Sequence, residues 1–242
     1  MASMVVSKAL AQWLSRDLGV ALWLAAVALH LAFLVTFVVH RVRQFELQHM
    51  VPAWFVPPVG IIVADVAFPG VSALHPLATG LLYFGMGLYA ILLPIMVYRL
   101  IFADEIPDPA KPTIAIMAAP ASLSLAGYLT VVAEPSALLV ALLGGIAVLM
   151  TLVIYLAFFK LLRLPYSPGY AAFTFPMVIG ATALAKTAGW MQAQGFHAHD
   201  IALVHGLATL EMLVATAIVG YVAARYVGFY LLAWRHHTLG PA

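Results

Sequence analysis

The sequence predicts an all-α polytopic membrane protein, with about seven transmembrane helices arranged as repeated hairpins whose inner helices are kinked by proline. Three observations predict it. Of the 242 residues, 65% are hydrophobic and 8% charged, and the mean hydropathy is +1.06; a soluble chain of this length cannot bury so much apolar surface. The apolar residues fall in stretches of about 20 or more, which suits helical spans and not the short alternating segments of a membrane barrel. Finally, proline recurs in the middle of every second stretch.

Several function classes drop out at once. A formal net charge of +2 is too small for a nucleic-acid partner, and the basic residues lie at the ends of spans. With Cys 0, disulfides, thiolate metal sites, iron–sulfur clusters and thiol catalysis are excluded. The chain carries no Walker loop, dinucleotide fingerprint, nucleophile elbow or zinc-protease helix, so no enzyme and no cofactor is expected.

In chain order, residues 1–17 read as an N-terminal amphipathic lead and not as a cleavable signal. A transmembrane domain is expected over 18–235, with spans at about 18–40, 52–70, 76–101, 112–132, 136–159, 168–189 and 201–232, followed by a polar tail at 236–242. Arg41, Arg43, Arg99, Lys111, Lys160, Arg163, Arg225 and Arg235 fall on one side of such a membrane, whereas only Lys8, Arg16 and Lys186 fall on the other. The positive-inside rule then puts the N-terminus outside and the C-terminus in the cytoplasm, in a cell inner (plasma) membrane.

The repeat resides in the second, fourth and sixth spans, "VPAWFVPPVGIIVAD", "KPTIAIMAAPASLSLAGYL" and "SPGYAAFTFPMVIGATALAK". The spans between them are read as unbroken helices, so the unit is one broken helix followed by one continuous helix. Pro57 and Pro58, Pro120 and Pro176 mark the kinks; proline should free the carbonyls of Trp54, Ile116 and Ala172 at membrane depth. Facing lipid, each free carbonyl would cost several kcal/mol, so three in alternating positions point to a shared, hydrated lining. The half-helix after each break also has the positive end of its dipole near the midplane, which suits an anion. The small residues of "MAAPAS" leave room for a permeant species, or serve close helix packing.

Phe175, Thr182 and Lys186 share one helical face, with Lys186 roughly 16 Å outward of Phe175. Phe175 reads as a steric plug and Lys186 as an electrostatic attractor at the outer mouth; the competing readings are a packed core aromatic and a snorkelling interfacial lysine. Glu211 lies close to mid-span, where a charge costs about 2.5–3.5 kcal/mol, and is expected to tether helices or to couple protons. Asp65 lies toward the outer side of the second span, where Lys186 is a candidate partner. His30 and His205 as haem ligands, and "FHAHD" as a metal site, are weaker competitors, since the two histidines sit at unequal depth and short loop clusters of histidine are usually only solvated.

The motifs "VPAWFVPPVGIIVA", "KPTIAIMAAPASLSLAGYL" and "LPYSPGYAAFTFPMVIGATALAK", in this order, closely resemble the tellurite-resistance/dicarboxylate transporter family, which includes slow-type anion channels, malate permeases and sulfite efflux pumps. The resemblance implies ten helices as five hairpins around a pore, with kinked helices inside. It implies a pore-occluding phenylalanine, which falls on Phe175 of "FTFP", and a homotrimer in which each subunit has its own pore. The implied substrates are small anions: malate or another dicarboxylate, chloride, nitrate, sulfite or a tellurium oxyanion. The spans here resemble helices four to ten, so about three N-terminal helices, two of them pore-lining, are expected to be absent. That leaves two functional expectations: anion transport through a pore lined by kinked helices, or a truncated, non-conducting membrane fragment or scaffold.

Overall fold

Apolar stretches interrupted by proline occupy the inside of this molecule, and most of the continuous ones lie around it. The computed structural model describes residues 1–239, apart from the side chains of 232, 233 and 235–239, and residues 240–242 of the expected tail lie outside the described residues. Among the described residues all regular structure is helical.

The chain opens with α1 (Ala2–Trp13), which folds back on α2 (Arg16–Arg43). The hydroxyl of Ser15 accepts from the Leu18 amide at 3.4 Å, Asp17 sits in the first turn, and His40, Arg41 and Arg43 close the last, each matching the sign of the helix dipole. The stretch expected as a lead is thus a helix with Met4 and Ser7 buried, and Lys8 Nζ donates to the Val66 carbonyl at 2.9 Å. This gives α2 a neighbour on its inner side.

The second span is the shortest. Pro52–Val66 alternates a 3-10 turn (Pro52–Phe55), α3 (Val56–Val59), another 3-10 turn (Gly60–Ile62) and α4 (Val63–Val66). It ends at Val66, not at 70, and falls below the length of the six helices that are long and apolar enough to cross a membrane. The 3-10 rise of about 2.0 Å per residue stretches it to roughly 26 Å, close to the ~30 Å of a hydrocarbon core.

There follow α5 (His75–Phe102), a 3-10 run Asp108–Ala118 leading into α6 (Ala119–Val131), α7 (Ala137–Leu161), a 3-10 turn Pro168–Phe173 leading into α8 (Thr174–Ala193), and α9 (Ala198–Leu239). Gly195 joins the last two with φ +74°, the left-handed conformation that lets a helix end and the chain reverse. Within their most apolar windows, 78% of residues are buried in Asp108–Val131 and 44% in Pro168–Ala193, against 28% in α5 and α7 and 11% in α9. The broken spans are the inner ones.

One proline escapes the alternation. Pro94 lies in the interior of α5, read from sequence as unbroken, and the helix continues through it to Phe102. It sits on the outward, exposed face, where a kink displaces no inner packing.

With lipid as solvent, close packing and satisfied polar groups hold helices together. Ile62 wedges between α5 and α6, where a Cβ on Gly85 or Gly127 would meet it at 2.5 and 2.6 Å. Trp23 Nε1 donates to the Ala64 carbonyl at 2.9 Å, and His75 Nε2 to that of Val131 at 2.7 Å, the last turn of α6. At the basic end, the Arg41 guanidinium lies 4.9 Å from the Trp54 ring and that of Arg225 5.6 Å from Tyr170.

Candidate functional site

In the three broken spans the kink prolines fall in the first turn of a half-helix: Pro57 and Pro58 in α3, Pro120 in α6 and Pro176 in α8. There a missing N–H costs little and the fixed φ starts the helix. The break is therefore a change of helix type and not a gap. In the fourth span this alters one expectation: the Ile116 carbonyl is not free, because the tighter 3-10 turn lets it accept from the Ala119 amide. In the second span the Pro57 carbonyl accepts from His30 Nε2 of α2 at 2.8 Å. A buried histidine thus ties α2 to the backbone at the break.

The three breaks meet. A small cavity of about 30 Å³ is lined by Phe55, Val56 and Gly60 of the second span, by Ile116, Ala119, Pro120 and Leu123 of the fourth, by Phe175 of the sixth, and by Met1. Its volume is about one water's share of liquid, and its side chains are apolar. Its apolar side chains offer an ion no replacement for the hydration it would shed on entering. Phe175 is half-buried and carries one wall; Phe55, which sequence reasoning did not single out, faces the same space. The available signal was that both precede a mid-span proline by at most three residues.

The other proposed residues are placed as follows. Thr182, half-buried, spends its hydroxyl on the Val178 carbonyl at 2.8 Å, within its own helix. Lys186 is half-buried one turn beyond it, within electrostatic range of Lys8 on α1. Lys8 in turn is fixed to the last residue of α4, so two ammonium groups from different helices stand at this end of the broken spans. Asp65 is fully buried, and neither carboxyl oxygen has a hydrogen-bond partner among the described residues. Its pairing with Lys186 is not formed: among the described residues no cation lies within 4.0 Å of it. The reason is topological, since Asp65 turns toward α6, where Gly127 leaves space beside its Cβ.

Glu211 lies away from the breaks. It reaches from α9 to Tyr155 of α7, whose hydroxyl donates to Oε1 at 3.3 Å, while Oε2 rests against α8 at Gly180. A Cβ at position 180 would come within 2.5 Å of that oxygen, so glycine is what lets the carboxyl seat there. Beside it runs a groove of about 450 Å³ between α7 and α9, floored by Ser122 and Ala183.

With the geometry in place, comparison with known proteins assigns relatives. The family described as voltage-dependent anion channel (SLAC1) matches residues 1–227. Two uncharacterized transporters of Methanocaldococcus jannaschii are each 29% identical to this chain, over 180 and 182 residues. Either alignment takes in 66% of this chain and 52% or 53% of the relative, so the chain spans about half the length of the relatives it matches.

Proposed function

Because the chain belongs to the voltage-dependent anion channel family, we propose that it conducts small inorganic or C4-dicarboxylate anions across the membrane, along a passage lined by its broken spans and occluded by Phe175. The observation that supports this reading is one small cavity shared by all three breaks, with Phe175 in its wall. An apolar lining carries no group that distinguishes malate, chloride, nitrate, sulfite or a tellurium oxyanion, so the proposed substrate is a class. Lys8 and Lys186 serve as the attractor at one mouth, by raising local anion concentration. Glu211 serves as a tether between α7, α8 and α9, given its contacts on both neighbours. We place the protein in the inner (plasma) membrane, N-terminus outside, as a homotrimer.

The test is anion flux in proteoliposomes for the wild-type chain and for Phe175→Ala. Removing one wall of the constriction lowers the barrier, and each 1.4 kcal/mol removed raises flux about tenfold. The variant is expected to exceed wild type by that factor or more. Equal flux through both removes Phe175 as the occluding group. The scaffold reading is tested in parallel, by comparing flux through the chain with flux through a version carrying three added N-terminal helices. Conduction by neither would favour a scaffold, and conduction by the extended version alone a truncated, non-conducting fragment.

A further inference from the structure

A cavity of about 470 Å³ opens at the basic end of the molecule, away from the breaks. Its charged members are Arg99 at the end of α5, Asp104 and Glu105 in the turn that follows, Lys111 on the 3-10 run before α6, and Lys160 at the end of α7. The wall leading toward the middle of the membrane is apolar, with Leu100 on α5 and Ala157 and Leu161 on α7. None of these residues lines the cavity at Phe175.

The charges in this pocket do not cancel pairwise. Lys111 is taken up by Glu105 at 3.1 Å and Asp108 at 2.7 Å. Arg99 is 2% exposed, yet its guanidinium bonds only to neutral carbonyls, those of Asp104 at 2.5 Å and Gln48 at 2.9 Å, and its Nε has no partner. Among the described residues no carboxylate lies within 4.0 Å of Arg99 or of Lys160. The remaining acid, Asp104, is exposed at the rim. Burying a guanidinium without a counter-charge is costly, and an anion arriving from outside the chain removes that cost.

We infer that this pocket binds the phosphate of an anionic phospholipid from the leaflet on the basic side, with the headgroup between Arg99 and Lys160. Two features select a lipid over a free anion. The pocket opens between two outer helices at the depth where span ends meet headgroups, and its floor continues as an apolar wall suited to an acyl chain. Arginine supplies planar donors for phosphate oxygens, and the lysine supplies a point charge on a flexible stem that can close over them.

Native mass spectrometry of the full chain in neutral detergent tests this, with phosphatidylglycerol, phosphatidylcholine and inorganic phosphate as probes. Phosphatidylglycerol is expected to saturate one site per chain and to bind at least tenfold tighter than phosphatidylcholine. Lys160 is exposed and makes no ion pair among the described residues, so Lys160→Gln is expected to fold normally and to weaken phosphatidylglycerol binding about fivefold. Arg43→Gln, on the same basic face but outside the pocket, is expected to leave it unchanged. Equal binding of the two lipids, or an unaltered affinity in Lys160→Gln, overturns the site. Displacement of phosphatidylglycerol by inorganic phosphate at equal concentration overturns the lipid as its ligand. Equal losses in Lys160→Gln and Arg43→Gln reduce the effect to general surface charge and overturn the pocket.

Discussion

Replacing Gly180 by alanine perturbs a single contact, and its cost follows from the geometry. The new Cβ would stand 2.5 Å from Glu211 Oε2, whereas ordinary contact begins at 3.4 Å, so the carboxyl must retreat by about 0.9 Å. Its other anchor is a hydrogen bond from Tyr155 that is already long at 3.3 Å, and a retreat of that size stretches or breaks it. Overpacking costs about 1–3 kcal/mol, and a lost hydrogen bond costs about 0.5–1.5 kcal/mol. Because a flexible side-chain end can swing aside, the lower part of that range applies, about 2 kcal/mol. For a chain of this size that corresponds to roughly 4–8 °C in the midpoint of thermal unfolding. The assay is a double-mutant cycle in detergent, comparing Gly180→Ala in the wild-type and Glu211→Ala backgrounds. If Glu211 ties α9 to α8, the alanine costs little once the carboxyl is gone. A loss of equal size in both backgrounds would refute the tether, since some other neighbour of position 180 would then be responsible.

Further outcomes follow from the same structure. Tyr155→Phe should cost about 0.5–1.5 kcal/mol in wild type and nothing in Glu211→Ala, read by the same unfolding assay. Phe55→Ala and Phe175→Ala line one cavity, so their effects on anion flux should be non-additive, the second adding little to the first; independent multiplication of the two gains would separate them. Neutralising Lys186 to glutamine should lower anion-over-cation preference about fivefold, the equivalent of ~1 kcal/mol for one charge at 4 Å in water. Lys8→Gln should act in the same direction, and an unshifted reversal potential in a salt gradient would count against either lysine.

Much of the architecture was legible because proline is a local signal with a fixed consequence. The chemistry of Pro58, Pro120 and Pro176 places breaks inside, and the contrast in burial between Asp108–Val131 and α9 follows from it. What the chain does with a break was not legible. A reader of "MAAPAS" expects an open carbonyl at Ile116, and only the 3-10 geometry of Asp108–Ala118 shows it engaged. Pairings between distant segments were hidden for a different reason. His30 meeting Pro57, Lys8 meeting Val66, and Tyr155 meeting Glu211 are separated by 27, 58 and 56 residues, and nothing near either partner encodes the other. Asp65 is the converse case: its charge invited a pairing with Lys186, but the pitch of a mixed 3-10 and α segment turns it toward α6.

The central claim is that the three breaks face one passage that Phe175 closes. The chain has no cysteine, so a thiol placed at Ala119 gives a signal without background. Its rate of modification by a charged, water-soluble thiol reagent in intact membranes should be low with Phe175 present, because Ala119 is buried and lines that small apolar cavity. The rate should rise at least tenfold in the Phe175→Ala background. Unchanged, slow modification in both backgrounds, with a lipid-soluble reagent reacting readily at the same position, would contradict the account, because Ala119 would then face the bilayer.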